Sequence, residues 1–209
     1  MRYRYHGYIL LKRLFDIVFS ILGLIVLFPL FFIMVLVIKL TSKGPVFYRG
    51  VRTGQYRILF RVLKFRTMEV DAEKKGGTTT ATDDPRVTRI GRFMRRYKID
   101  ELPQLFNVLC GDMSIVGPRP EVTLYTQQYA SDQEVILHVK PGITDLSSIE
   151  FIDLDDRVGV ECPDEYFRNN ILPVKNELRV QYAQKMTLWG DIKIIVRTAV
   201  RLFLKIINR

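Results

Sequence analysis

The feature that most constrains this chain is an apolar run near its start. From Ile17 to Ile38 the sequence reads IVFSILGLIVLFPLFFIMVLVI, 22 residues without a charge. A helix of that length and polarity matches the hydrocarbon layer of a bilayer. A cleavable signal peptide fits less well, because the run is too long and no small-residue cleavage site follows it. The sequence therefore predicts a membrane helix rather than a buried core helix.

The path of this helix depends on Pro29 and on the charges at its two ends. Pro29 lies near the middle of the run, where it removes a backbone hydrogen bond and favours a kink. Both flanks are basic, and Asp16 is the only acidic residue before Arg66. A spanning helix cannot keep both basic flanks in the cytosol, whereas a bent, re-entrant helix can. An ordinary transmembrane helix that tolerates its proline is the alternative.

The charges that flank the apolar run also predict on which side of the membrane the rest of the chain lies. The flank after the apolar run carries more positive charge than the flank before it, which predicts that the body faces the cytoplasm on either path. At 209 residues the chain is long enough for one domain with a core and an appendage. We therefore divide it into an N-terminal membrane helix, residues 1–43, and a cytosolic domain, residues 44–209.

The composition narrows the chemistry that this domain can perform. Lys and Arg number 32 against 22 Asp and Glu, a net charge of +10, so an anionic partner is expected: nucleic acid, an acidic membrane face or a phosphorylated substrate. The chain has two cysteines, Cys110 and Cys162, and two histidines, His6 and His138. This leaves almost no material for a structural zinc site or for a nucleophile activated by histidine.

After the membrane helix, two short β-like runs predict a hairpin. They are Val46–Arg49 and Tyr56–Phe65, separated by a glycine-containing turn. Lys64 and Arg66 stand on alternate positions at its end, which would place both cations on one face of a strand. Such a face is often merely solvated, but close to an acidic group these cations could bind phosphate.

The stretch Arg95–Pro120 holds the most suggestive chemistry. Asp100 and Glu101 are adjacent, Pro103 suits the first turn of a helix, and apolar residues at helical spacing continue to Gly111. Two carboxylates at a helix N-terminus between cations suit phosphate chemistry with a divalent metal. The alternative is that Asp100 caps the helix and Glu101 favours its dipole.

Downstream, a strand over Ser114–Val116 is predicted to run into a rigid Gly-Pro-Arg-Pro turn. Pro118 and Pro120 restrict the backbone on both sides of Arg119, which lowers the entropic cost of presenting its guanidinium to a phosphate. Upstream, Pro85–Lys98 contains Arg95 among six cations and no acid. This basic helix could contact nucleic acid, but aromatic residues for base stacking are few, and a charged small substrate is the better match.

The C-terminal third predicts a strand over Val135–Val139 and a mixed-charge helix over Asp164–Met186. From Leu188 to Arg209 the chain is apolar, with a cation at every fourth position from Lys193 onward. On a helix this gives one basic stripe beside a broad apolar face, which is typical of a helix in the membrane interface. A helix that packs on the core with one solvated side is the alternative.

Several long motifs together resemble a known family. They are KRLFDI at 12–17, KFRTM at 64–68, DPRVTRIGRFMRR at 84–96, DELPQLFNVLCGDMSIVGPRP at 100–120, VKPGIT at 139–144 and WGDIKIIVRT at 189–198. In these motifs the chain is similar to the bacterial sugar transferases, the monotopic phosphoglycosyl transferases. The resemblance implies an α+β fold with a kinked re-entrant helix, a small cytosolic catalytic domain and amphipathic interfacial helices. It also implies Mg²⁺, a UDP-sugar donor and a polyprenyl phosphate acceptor at the bacterial cytoplasmic membrane.

The resemblance carries roles over by position. Asp100 matches the nucleophile of the family, and Glu101 matches its partner in binding metal and phosphate. Lys64, Arg95 and Arg119 match basic residues around the phosphates, and Asp191 matches an aspartate of the C-terminal motif. Asp100 and Glu101 are thus the expected catalytic residues and metal ligands. The expected substrate-binding residues are Lys64, Arg66, Arg95, Pro118, Arg119, Pro120 and Asp191.

The chain also departs from the family's pattern. Many members continue PGITG, where this sequence reads PGITDL and Asp145 replaces the glycine. Members often have serine before the kink proline, where Phe28 stands here. The first departure lies in a region expected to touch the sugar.

The expected activity is therefore transfer of a sugar 1-phosphate from a UDP-sugar to undecaprenyl phosphate, with release of UMP. Asp100, kept ionised by the cations around it, would form a covalent phosphosugar intermediate. This would be the first membrane step of a bacterial glycan: capsule, exopolysaccharide, O-antigen or glycoprotein. The expected partners are these two substrates and the lipid bilayer, without nucleic acid, and a homodimer is left open. The alternative is a membrane-tethered basic module that binds nucleic acid or anionic lipid.

Overall fold

The computed structural model describes residues 2–72, 84–153 and 163–207, and Cys162 and the last residues of the predicted C-terminal helix lie outside them. The fold is a mixture of helices and small sheets, as the α+β prediction requires. The helices are α1 (Arg2–Thr41), α2 (Arg89–Arg96), α3 (Gln104–Cys110), α4 (Thr123–Thr126), α5 (Leu146–Glu150), α6 (Pro163–Tyr166), α7 (Leu172–Lys185) and α8 (Leu188–Ile207). The strands are β1 (Phe47–Thr53), β2 (Leu59–Phe65), β3 (Ser114–Val116) and β4 (Gly142–Thr144).

The predicted hairpin is confirmed, with shifted limits. β1 pairs antiparallel with β2, from Phe47 opposite Phe65 to Thr53 opposite Leu59. The connection is a 3-10 turn at Gln55–Arg57, in which Tyr56 and Arg57 have left-handed backbones at φ of 54° and 63°. This hairpin fixes the position of Lys64 on β2.

A second sheet supports the Gly-Pro-Arg-Pro segment. The predicted strand over Ser114–Val116 is confirmed as β3, and it pairs in parallel with β4 in a register that places Ser114 opposite Gly142. The strand predicted over Val135–Val139 is wrong, because this segment forms a 3-10 helix, Glu134–His138. Its neighbours Ile136 and Leu137 are both buried, which a tight helical turn allows and a strand with alternating faces does not.

The predicted apolar helix is confirmed as α1, which is continuous through Pro29. From Tyr8 to Thr41 it is long and apolar enough to cross a membrane. One side of its C-terminal half packs in an apolar cluster with the hairpin and α2, formed by Phe31, Met34, Ile38, Phe65 and Met94. The opposite side exposes large apolar side chains such as Val26, Phe28 and Leu40. The re-entrant kink stays a prediction.

The C-terminal helices follow the sequence prediction closely. The helix expected over Asp164–Met186 consists of α6, a π-helical turn at Phe167–Ile171, and α7. The helix expected from Leu188 is α8, whose outer face combines the exposed cations Lys193, Arg197 and Arg201 with exposed apolar side chains. Those apolar side chains include Trp189, Val196, Val200 and Phe203.

Candidate active site

The carboxylate pair, Asp100 and Glu101, lies in a 3-10 turn at Ile99–Glu101 between α2 and α3. Lys98 precedes the turn with a left-handed backbone, φ 56°, which reverses the chain after α2. α3 begins only at Gln104, with Pro103 in the capping position. Asp100 therefore does not cap the helix, and the structural alternative for this pair loses its main support.

Glu101 is held by two cations. Arg119 Nη1 donates to Glu101 Oε2 at 2.8 Å, and Arg119 Nη2 donates to Oε1, so the guanidinium meets both carboxylate oxygens. Lys64 Nζ donates to Oε1 at 3.0 Å. Burial by itself would raise the pKa of Glu101, but the charges of Arg119 and Lys64 lower it well below its usual range. Glu101 therefore remains a carboxylate at any physiological pH.

Asp100 has a different environment, although it is adjacent in sequence. Its side chain is buried, and Oδ1 has no hydrogen-bond partner among the residues that the structure describes. Burial and the negative charge of Glu101 raise the pKa of Asp100 to about 6, against the opposing charges of Lys64, Lys98 and Arg95. The sequence analysis expected the surrounding cations to keep Asp100 ionised; desolvation opposes them and raises the pKa. With a pKa near 6, Asp100 is still mostly ionised at pH 7.

The turn Gly117–Pro120, hereafter the GPRP turn, presents Arg119 to Glu101. A side chain at Gly117 would collide with the backbone that leads into β4, since an added Cβ would lie 2.4 Å from Lys140 O. The turn is bonded to β4 in both directions: Gly117 N–H donates to Thr144 O and Gly142 N–H donates to Pro118 O, each at 3.0 Å. This close approach fixes the base of the turn. Pro118 is buried there and Pro120 is half-buried, so both prolines support the turn.

Of the remaining predicted residues, Lys64 and Arg95 lie near the pair. Lys64 contacts Glu101 directly, and burial lowers its pKa while Glu101 acts in the opposite direction. Arg95 Nε donates to Thr67 Oγ1 at 2.9 Å, and its charge lowers the pKa of Asp100. The exposed part of Arg95 thus lies in electrostatic reach of the pair.

Arg66 is placed elsewhere. Its guanidinium donates to Ser42 Oγ at 2.8 Å, to Ser42 O at 3.1 Å and to Lys43 O, at the C-terminal end of α1. The strand ends at Phe65, so the alternation of faces that was expected to align Arg66 with Lys64 does not extend to it. Its predicted role in substrate binding has no support in this geometry.

Asp191 joins α1 to α8 rather than reaching the carboxylate pair. It is buried and accepts hydrogen bonds from Lys12 Nζ at 2.6 Å, Tyr182 OH at 2.8 Å and Tyr8 OH at 3.0 Å. Lys12 and Tyr182 also donate to Val116 O, directly before the GPRP turn. These contacts make Asp191 a support of β3, and its predicted contact with substrate stays a prediction.

Sequence reasoning missed the charged residues that lie behind the GPRP turn. They are Glu121, Asp145 and Arg179, all of them buried or largely buried. Arg179 belongs to a helix whose mixed charge gave no signal. Asp145 stood out only as a departure from the family's PGITG, and the structure gives it a role: it accepts a hydrogen bond from Arg119 N–H at 3.1 Å.

The carboxylate pair fits a divalent metal that arrives with a phosphate. Within the described part of the chain, no group of three or more His, Cys, Asp or Glu side chains is assembled around a common point. Mg²⁺ commonly needs only one or two protein carboxylates when substrate phosphates supply further oxygens. The unpartnered Oδ1 of Asp100 is such an oxygen, and Glu101 is the second carboxylate within the site.

Comparison with known proteins agrees with the motifs. The family described as Bacterial sugar transferase matches residues 7–205. An undecaprenyl-phosphate glucose phosphotransferase of Komagataeibacter xylinus is 41% identical over 91% of this chain and 35% of its own length. The UDP-glucose:undecaprenyl-phosphate glucose-1-phosphate transferase of Escherichia coli K12 is 38% identical over 93% of this chain. An undecaprenyl-phosphate galactose phosphotransferase of Salmonella typhimurium is 39% identical over 90%. The chain spans 40% of the length of each of these last two relatives.

Proposed function

This chain belongs to the bacterial sugar transferase family, and we propose that it transfers a sugar 1-phosphate from a UDP-sugar to undecaprenyl phosphate. The relatives are named for this kind of reaction on glucose and galactose. The observation that carries the proposal for this chain is the contrast within the carboxylate pair. Glu101 is engaged by Arg119 and Lys64, whereas Asp100 has a buried oxygen without a hydrogen-bond partner in the described part of the chain.

In the first step, a carboxylate oxygen of Asp100 attacks the β-phosphorus of the UDP-sugar. A bond forms between this oxygen and the phosphorus, and the bond from the phosphorus to the oxygen that bridges to the α-phosphate breaks. UMP leaves with the electron pair, and the sugar phosphate stays on Asp100 as an acyl phosphate. A buried, desolvated carboxylate is a stronger nucleophile than a hydrated one, provided that it is ionised.

In the second step, a phosphate oxygen of undecaprenyl phosphate attacks the same phosphorus. The bond between that phosphorus and the Asp100 oxygen breaks, which restores the carboxylate. The product carries the sugar through a diphosphate to the lipid. Both steps develop negative charge on phosphate oxygens, and Arg119 and Lys64 stand where they can neutralise it.

Mg²⁺, held by Asp100 and Glu101 together with the donor's own phosphate oxygens, would neutralise charge on the departing UMP when bound. The residues of this chain orient the carboxylate pair and add positive charge. Arg119 fixes the orientation of the Glu101 carboxylate through two parallel hydrogen bonds, and Lys64 holds one of the same oxygens. Arg95 adds positive charge on the side of α2.

The contacts of α1 support a path that enters and leaves the membrane on one face. Directly before its apolar run, Asp16 accepts a hydrogen bond from Ser114 Oγ at 3.0 Å; at the end of the run, Ile38 packs against Phe65 and Met94. These two points are 22 residues apart, which is roughly 33 Å along a helix and about the thickness of the hydrocarbon layer. A helix perpendicular to the membrane would carry the charged body into hydrocarbon, which is costly. We therefore propose a re-entrant α1 and a body on the cytoplasmic face.

Release of UMP tests the proposed reaction. Wild-type protein in detergent or nanodiscs is incubated with undecaprenyl phosphate, Mg²⁺ and each of a panel of UDP-sugars, which also identifies the sugar. Asp100→Asn should abolish UMP release, and the exposed Asp132→Asn should leave it intact. Undiminished release by Asp100→Asn would overturn the proposal. Oligonucleotide binding that depends on salt but not on Asp100 would favour the basic binding module instead.

A further inference from the structure

A buried hydrogen-bonded network lies behind Arg119 and is bonded to its backbone. Arg119 N–H donates to Asp145 Oδ2 at 3.1 Å. Asp145 is itself fixed, because it caps α5: it accepts from Ser148 N–H at 2.6 Å and from Ser147 Oγ at 2.8 Å. Its carboxylate is almost fully buried. The backbone of the GPRP turn is thus bonded to the start of a helix.

Arg179 links Asp145 to a second carboxylate, that of Glu121. Its side chain is fully buried on α7, where Nη2 donates to Glu121 Oε1 at 2.7 Å and Nη1 donates to Asn176 Oδ1 at 3.1 Å. Its Nε lies 3.7 Å from Asp145 Oδ2. One buried cation therefore bridges two carboxylates, which hold the chain on either side of Pro120.

The network contributes to the orientation of the GPRP turn, which the two prolines alone do not set. Pro118 and Pro120 restrict the local backbone of the turn, but they do not set the orientation of the turn relative to Glu101. That orientation is set where the turn is attached to the rest of the protein. Asp145 bonds the turn directly, Arg179 holds the following residue Glu121, and β4 is bonded to the base of the turn.

A buried ion network is an expensive way to gain stability, since apolar side chains of similar volume often serve as well. It can, however, fix a unique geometry. Burial by itself would raise the pKa values of Glu121 and Asp145, but Arg179 lowers both below their usual ranges, so both remain charged.

We infer that Asp145 and Arg179 are positioning residues that set the Arg119 guanidinium against Glu101 and thereby the site for the donor diphosphate. Neither residue is expected to touch substrate. Their effect passes through Arg119, where a misplacement of about 1 Å can cost a large part of the activity. This inference rests on the proposed function.

A double-mutant cycle on donor binding tests this coupling. The full chain is assayed by calorimetry with UDP and Mg²⁺ as the probe, in four forms: wild type, Asp145→Asn, Arg119→Gln and the double variant. In the wild-type background Asp145→Asn is expected to weaken UDP binding about tenfold, and in the Arg119→Gln background by no more than about twofold. A merely structural role would give the same loss in both backgrounds.

Thr198→Val is the matched control, because it removes a neighbouring hydrogen bond, Thr144 Oγ1 to Thr198 Oγ1 at 2.8 Å, without touching the turn. It should leave UDP binding unchanged. Equal losses in both backgrounds, or no loss from Asp145→Asn, would overturn the inference. If Asp145→Asn does not fold, Glu121→Gln enters the same cycle with the same criterion. Failure of the wild type to bind UDP would instead contradict the proposed function, and this inference with it.

Discussion

Arg119 donates from both terminal nitrogens of its guanidinium to the two carboxylate oxygens of Glu101. This bidentate pair gives the two adjacent acids of the site different properties. The pKa of Glu101 is driven down, while burial raises that of Asp100 to about 6. Neighbouring carboxylates with divergent pKa values are typical of sites that assign them separate tasks.

Replacement of Arg119 should therefore damage the reaction severely. Arg119→Gln removes the charge and one of the two parallel hydrogen bonds, and we expect kcat/KM for the UDP-sugar to fall by about 10²- to 10³-fold. Arg119→Lys, which keeps the charge but not the planar fork, should recover only part of it. UMP release measures the kcat/KM of both variants. Full activity in Arg119→Lys would show that charge alone suffices and would contradict the bidentate role.

Asp100→Asn should stabilise the folded protein in a manner that depends on pH. The pKa of Asp100 is higher in the folded protein, about 6, than the 3.8 of an unperturbed aspartate, so the ionised form costs folding free energy on the order of 3 kcal/mol. This cost is fully present above pH 6 and is lost as the pH falls toward 4. With EDTA present, the Tm of Asp100→Asn should exceed that of the wild type by roughly 6–12 °C at about pH 8 and converge with it below about pH 4.

Asp132→Asn is the control for this experiment, because Asp132 is exposed. Its Tm should follow that of the wild type across the whole range. A Tm of Asp100→Asn that lies below the wild type at about pH 8 would contradict the burial of an unpaired charge at this position.

Cysteine labelling should find both ends of α1 on the same side of the membrane. In a variant without Cys110 and Cys162, single cysteines replace Leu10 or Lys43, which lie on either side of the apolar run and are exposed. In intact cells an impermeant maleimide should label neither position, and both should react after permeabilisation. External labelling at position 10 would refute the re-entrant path.

The outer face of α8 should lie at the lipid interface. Trp189 is the only tryptophan of the chain, is exposed, and has Lys193 Nζ 5.6 Å from its ring centroid. In vesicles that contain brominated lipid, its fluorescence should be quenched, while soluble acrylamide should quench it weakly. Strong acrylamide quenching without an effect of bromine would mean that this face is solvated.

Local patterns in the sequence predicted most of the elements. The apolar run gives α1, helical spacing after Pro103 gives α3, and β-favouring residues give the hairpin. The parallel pairing of β3 with β4 was not predicted, because it joins Ser114 to Gly142 across an intervening segment. Val135–Val139 was misassigned for a related reason: its β-branched composition was overridden by the burial of two consecutive residues, Ile136 and Leu137.

In the site, too, features that follow from local motifs were predicted, and features that depend on distant contacts were not. Asp100, Glu101, Lys64 and Arg119 were named from motifs, and the structure brings all four together. Arg66 was predicted from the alternation of faces along a strand, but β2 ends at Phe65, one residue before it. Arg179 could not be found, because its carboxylate partners, Glu121 and Asp145, come from two other segments and no local spacing records them. The rise in the pKa of Asp100 likewise depends on burial, which a list of neighbouring cations does not reveal.

The central claim is that Asp100 carries the sugar phosphate during turnover, and trapping that species tests it most directly. The wild type is incubated with Mg²⁺ and a UDP-sugar that supports UMP release, without acceptor, and then analysed by intact mass and peptide mapping. The account predicts an increase by one sugar phosphate located on Asp100, absent in Asp100→Asn and discharged when undecaprenyl phosphate is added. UMP release that occurs only with acceptor, without any such adduct, would contradict it.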